Sequence, residues 1–180
     1  LGVRGYNLFD PRRYVLALLA TVLGGGMSSR LFLAVRERQG LAYYVRTTND
    51  HSTDSGYLAT YAGVKKDKLD QALVTILQEY QRIKTELVGK EELRKAKEYL
   101  KGKLTLGLES SDEIASFFGS QEILAQKPLH LEEIFDKIEA VTAQEMQTAA
   151  RDIFKAEKLN LAIIGSYREE GKFAEVLKSF

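Results

Sequence analysis

The sequence has no cysteine and no tryptophan, and only two residues each of histidine, proline and methionine. The missing thiols exclude disulfides, zinc fingers, iron–sulfur centres and thiol catalysis together, and leave the compartment open. The two histidines, His51 and His130, are far apart, and no His-x-x-Glu-His or other close ligand pair is present. A catalytic zinc ordinarily takes three protein ligands, mostly His with Glu or Asp. Both histidines are therefore expected at the surface, His51 in a polar turn and His130 just before a helix, and no metal or cofactor is expected in this chain. An excess of one charge is missing too: 26 basic and 25 acidic residues leave +1. That balance gives no global attraction for nucleic acid or an anionic membrane. The clusters "VKKDKLD" and "ELRKAKEYLKGK" mix signs or lie on helix exteriors and read as solvated faces. No apolar run approaches the roughly 18 residues of a membrane span.

What is present is ordinary for a globular fold: 180 residues, 44% apolar and 28% charged, enough for one domain over residues 1–180. The start shows no basic-then-apolar pattern, Leu1 is no initiator and the first methionine is Met27. The chain is expected to be a piece of something longer, a domain or a processed product.

The alternation of "LGVRGYN" predicts a strand over 1–7. Asp10-Pro11 then opens a helix, with Asp10 as N-cap and Pro11 in the first turn. That helix is apolar on most sides and runs to about Leu23, where Gly24-Gly25-Gly26 ends it. Ser28 or Ser29 is expected to cap a second helix over 29–39, with Gly40 at its C′ position. Two β-like runs, 41–50 and 55–64, joined by "HSTD", read as an antiparallel hairpin. The period then becomes helical: Leu69, Leu73, Ile76, Tyr80, Ile83 and Leu87 form one stripe, and Gly89 breaks the helix. Further helices are predicted over 91–109, 111–126, 130–140 and 142–154, the last with Thr142 and Glu145 at capping-box spacing. "LNLAIIGS" (159–166) reads as an apolar strand, followed by a helix over 169–179. Few strands and many helices point to an α+β fold: a small mixed, largely antiparallel sheet covered mainly on one face by helices.

The most informative stretch is "GGGMSSRLFLAVRERQGLAYYV", residues 24–45. It lacks the Gly-x-x-x-x-Gly-Lys-Ser/Thr pattern, and it follows a helix rather than the strand a dinucleotide loop needs. A flexible turn between helices is the better account of its glycines. Ser28-Ser29 sits in no Gly-x-Ser-x-Gly and has no nameable His–Asp partner. Arg36 and Tyr43 flank Gly40, so a helix–glycine–strand corner could bring a guanidinium and a phenol to one point, as donors to a peptide carbonyl or a developing oxyanion. Strand alternation puts Leu41, Tyr43 and Val45 on one face and Tyr44 and Arg46 on the other. On spacing alone the plainer account is favoured: Arg36 pairs with a nearby acid and Tyr43 packs half-buried.

The same stretch resembles the signature of the second half of pitrilysin/insulinase-type zinc peptidases, the group that includes processing peptidases. "EELRKAKEYLKGKLTLGLES", "IEAVTAQEMQTAARDIF" and "KLNLAIIGS" resemble that family's downstream helices and last strand, so the resemblance covers essentially the whole chain. It implies a two-half clamshell closing on an extended or unfolded peptide. The zinc, held by His-x-x-Glu-His, would belong to the other half, in the same polypeptide or in a partner subunit. This half would supply an Arg and a Tyr seven positions apart, here Arg36 and Tyr43, as its catalytic and substrate-binding residues. Alone, the chain would be inactive, and its exposed apolar surface would favour self-association. The alternative is an inactive scaffold subunit of the same superfamily.

Overall fold

A computed structural model of the chain describes residues 1–125, 127–167, 170–178 and 180. Its frame is a four-stranded sheet in the order β2-β3-β1-β4, with β1 Gly2–Arg4, β2 Ala42–His51, β3 Gly56–Val64 and β4 Leu159–Asn160. Every pairing is antiparallel among the described residues. Helices pack on the face bearing Val3, Val45, Leu58 and Leu159, all buried. The opposite face carries the cross-strand pairs Arg46–Tyr61 and Asp50–Tyr57, whose side chains are exposed. The α+β class and the one-sided cover are as the sequence implies.

The first helix, α1 (Arg13–Gly24), is the centre of the core: Leu16, Leu18, Leu19 and Leu23 are fully buried. It starts three residues after Asp10 rather than directly on it. The Asp10 carboxylate accepts from the Arg12 N–H at 2.8 Å and from the Arg12 guanidinium, which holds Pro11 and Arg12 in a turn ahead of the helix. α2 (Leu69–Thr85) follows a 3₁₀ turn and buries Leu73, Ile76, Tyr80 and Ile83 as its stripe predicts. Leu87 is exposed and Val88 buried instead, because Glu86 is already extended and the helical phase ends there. α3 (Lys90–Leu106), α4 (Ser111–Ala125), α5 (Leu131–Ala140), α6 (Ala143–Ile153) and α7 (Glu170–Lys178) complete the layer. The expected ends at 126, 169 and 179 lie outside the described residues. The Thr142–Glu145 capping box forms in both directions, at 2.8 and 3.2 Å.

Sheet and helices are joined by a buried chain of hydroxyls. Tyr80 in α2 donates to Thr60 Oγ1 in β3 at 2.7 Å, and Thr60 bonds Thr47 in β2 at 2.8 Å. The Tyr80 ring stacks on Phe154 with centroids 4.2 Å apart. Burial raises the Tyr80 phenol pKa, so the group stays neutral and able to donate.

Two further expectations fail. The second helix forms as a π-helix, Phe32–Glu37, with the Arg38 N–H reaching back five residues to the Leu33 carbonyl. No serine side chain caps it: the Ser29 hydroxyl donates back to the Gly26 carbonyl at 2.6 Å. The strand predicted over 159–166 pairs only at Leu159 and Asn160.

Candidate functional site

The glycine run has a packing explanation. A Cβ on Gly24 would lie 2.3 Å from the Thr47 backbone nitrogen, so the end of α1 presses directly on β2. A Cβ on Gly25 would strike the Thr21 backbone at 2.7 Å. Tyr99 of α3 donates its hydroxyl to the Gly25 carbonyl, tying the turn to that helix. The hollow beside the run, about 330 Å³, is bordered by Glu92 as well as Lys95, a poor lining for a phosphate.

Arg30, at the start of the following segment, forks onto Glu92 of α3, with Nε and Nη2 each donating at 2.8 Å. The pairing raises the Arg30 pKa and keeps a largely buried guanidinium charged. A second carboxylate, Glu79 of α2, borders the same 220 Å³ hollow with Arg38 and Arg82. Arg30 therefore pins the entry of the π-helix to α3, close to α2. Nothing in its spacing marks it for this role; only its buried fork does.

The π-helix buries Ala34 and Val35 and turns Arg36 to solvent. Its end is closed by Gly40, whose φ of +58° is left-handed. There the Gly40 N–H donates to the Arg36 carbonyl at 3.0 Å and the Leu41 N–H to the Val35 carbonyl at 2.8 Å. Leu41 and Ala42 then anchor the start of β2 in the core. Between Ala42 and Tyr44 the register slips: Ala42 lies opposite Val64 and Tyr44 opposite Gly63. Tyr43 is the extra residue of this β-bulge. The bulge overturns the alternation read from the sequence. Tyr43 is 69% exposed and Tyr44 54%, side by side, while Leu41 and Val45 are buried.

Arg36 and Tyr43 thus stand on either side of the Gly40 corner, both exposed. The Arg36 guanidinium lies over the Phe32 ring at 4.9 Å, and Lys65 Nζ is 6.0 Å from the Tyr43 ring. Among the described residues neither Arg36 nor Tyr43 forms a side-chain hydrogen bond or ion pair, and none joins one to the other. The plainer account, an Arg36 ion pair and a half-buried Tyr43, is not what the structure has. Tyr44 instead lays its ring where a side chain at Gly63 would be, 2.4 Å from that ideal Cβ.

The histidines do not fit a zinc ion. His51 is the last residue of β2 rather than a turn residue, and it is only partly exposed. Its Nδ1 donates to the Tyr6 carbonyl at 2.7 Å and its Nε2 accepts from the Asn49 amide at 2.8 Å. Both ring nitrogens are engaged: the Tyr6 carbonyl can only accept, so Nδ1 carries a hydrogen toward it, and Nε2 faces the Asn49 amide. His130 is exposed ahead of α5, its N–H donating to Glu133 at 2.9 Å. Among the described residues no group of three His, Asp or Glu converges as a metal site, and no helix is long and apolar enough to cross a membrane.

The family model described as Peptidase M16 inactive domain matches residues 1–100, and the chain belongs to that family. It is 39% identical over 164 residues to the uncharacterized zinc protease YmxG of Bacillus subtilis, covering 91% of this chain and 40% of the relative. The M16 inactive domain from Pseudomonas fluorescens superposes with a TM-score of 0.77 at 22% identity, over 87% of this chain and 38% of that one. A chain of complex III2 from Candida albicans gives 0.76 at 20%, over 84% and 38%. The chain spans about two fifths of the length of the curated relatives it matches.

Proposed function

We propose that this domain is the substrate-engaging, non-catalytic half of a zinc-dependent endopeptidase acting on extended polypeptides. The zinc is expected in the partner half, in the same polypeptide or in a second subunit. The observation that carries the reading is the corner: Arg36 and Tyr43 are presented to solvent with no side-chain hydrogen bond among the described residues, on a helix end and a bulge that the fold anchors on both sides. When an amide is attacked, negative charge grows on its carbonyl oxygen, and fixed donors there stabilise the transition state more than the substrate. The Tyr43 hydroxyl would donate to that oxygen and the Arg36 guanidinium to a neighbouring substrate carbonyl. The bare sheet face, with Tyr44, Arg46, Tyr57 and Tyr61 exposed, gives an extended backbone a surface to lie along.

Mixing this chain with the zinc-bearing half, and following cleavage of a quenched unfolded peptide, tests the reading. Cleavage should require both halves, and Arg36→Ala and Tyr43→Phe should each lower it sharply. A second reading, an inactive scaffold, is favoured by the likeness to the complex III2 chain. Halves that bind without cleaving, or cleavage indifferent to both substitutions, would establish that reading instead. Exposed Leu106, Ile114, Ile123 and Leu124 on and beside α4 lead us to propose that the isolated domain self-associates; light scattering across concentration checks it.

A further inference from the structure

The near balance of charge over the whole chain hides a local excess. Segments 36–46 and 65–68 together hold six cations, Arg36, Arg38, Arg46, Lys65, Lys66 and Lys68, against two acids, Glu37 and Asp67. The two segments are distant in sequence, and "VKKDKLD" taken alone reads as a solvated face. The hairpin brings them together. Ala42 lies opposite Val64 and Tyr44 opposite Gly63, so Lys65 follows directly on the pairs that flank Tyr43. Three of the six cations are otherwise occupied. Lys66 Nζ donates to Ser166 Oγ at 3.2 Å, Arg38 borders the hollow that holds Glu79 and Glu92, and Lys68 is half-buried.

Arg36, Lys65 and Arg46 remain, all exposed. Each lies against an aromatic ring rather than a carboxylate: Arg36 over Phe32 at 4.9 Å, Lys65 Nζ 6.0 Å from the Tyr43 ring, and Arg46 over Tyr61 at 5.3 Å. A ring face orients a cation without neutralising it. Among the described residues none of the three forms an ion pair, and the exposed Glu37 and Asp67 pair with none of them. The far end of the same open face is balanced, because Asp50 and Arg4 stand on either side of Tyr57 in the register. The positive field therefore concentrates at the Tyr43 end. Arg46 lies two residues beyond Tyr44, roughly 7 Å along β2.

We propose that this basic margin selects the substrate: the domain takes extended polypeptides with acidic side chains within about three residues of the carbonyl at Tyr43, and Lys65 and Arg46 read those side chains. The inference rests on the reading of the domain as the half that engages extended polypeptide. In an extended chain, side chains on one face recur every second residue, about 7 Å apart, which matches the step from Tyr44 to Arg46. A carboxylate arriving at Lys65 or Arg46 has no existing ion pair to displace. A lysine or arginine in the same place would be repelled. A single-stranded nucleic acid also carries negative charge and stacks on tyrosines. Its phosphates are continuous, however, and along this face they would run onto Asp50. A polypeptide can carry its acids at one end of the track and none at the other.

The test is equilibrium binding of fluorescent unfolded peptides of about ten residues to the chain, followed by anisotropy. The peptides differ only at two central positions, two residues apart, filled by Glu, Gln or Lys. At low salt the Glu peptide should bind roughly tenfold more tightly than the Lys peptide, with Gln between, and the ratio should shrink toward one at about 0.5 M salt. Lys65→Glu combined with Arg46→Glu should invert the order, an outcome that only a folded chain can give. Arg4→Glu, at the balanced end, should leave the order unchanged. Equal binding of the three peptides, no binding of any, or a preference that the double reversal does not change would overturn the proposal. An oligothymidylate of about ten nucleotides that binds more tightly than the Glu peptide would overturn it in favour of nucleic acid. Cleavage in the reconstituted peptidase that depends on Tyr43 without any charge preference would overturn this inference and leave the proposed function. An acid preference in halves that bind without cleaving would overturn the donor role of Tyr43 and uphold the charge selection.

Discussion

The two margins of the sheet invert what their compositions suggest. At one, β2 runs ten residues although its sequence, AYYVRTTNDH, holds four strongly polar side chains, Arg46, Asn49, Asp50 and His51. At the other, Leu161-Ala-Ile-Ile164 is wholly apolar and forms no strand. The difference lies in the neighbours. β2 has the nine residues of β3 beside it and the packed end of α1 beneath it. The 161–164 run has no strand paired with it among the described residues. Strand formation here follows the partner more than the propensity, as expected when a strand's stability resides in cross-strand pairs.

Substitutions at the two margins should therefore behave differently. The largest effect is expected at the β2 margin. Tyr43→Phe in the reconstituted peptidase should lower kcat by roughly 10²–10³, while Tyr44→Phe, one residue along on the same exposed surface, should leave it within about threefold. Equal losses at both would mean that the bulge does not distinguish them. Next, Gly24→Ala drives a methyl into the Thr47 backbone at the same margin. It should cost about 1–3 kcal/mol in denaturant unfolding, the range for overpacking. At the other margin, Ile164→Asp changes a fully exposed side chain and should shift stability by less than about 0.5 kcal/mol. A large loss there would show that the run is already structured by partners.

Most of the helical layer was legible because its periodicity is strong: the α2 stripe, the Thr142 capping box and the Gly40 stop all appear where the pattern puts them. The hairpin was legible from its two runs and polar turn. Of the proposed site, only the residue identities were legible, through the stretch around Gly40. Its geometry was hidden, because a π-helix and a bulge each insert one residue without any residue type that demands it. That insertion turns Tyr43 outward beside Tyr44, against the alternation. His51 was misplaced because β2 runs on through it and the fold brings the Tyr6 carbonyl to it from 45 residues away. The strand after Asn160 was overcalled because apolar content was read without its partner.

The bulge at Tyr43 also has a genetic meaning. From Tyr44 to His51 every residue of β2 keeps its partner in β3 without reference to residue 43. Loss of that single codon would close the ladder from Ala42 onward and leave the hairpin downstream unchanged. The proposed donor could therefore vanish from a lineage in one step, with the scaffold intact. In comparing family members, a one-residue gap at this position would separate domains equipped to touch substrate from those kept for architecture.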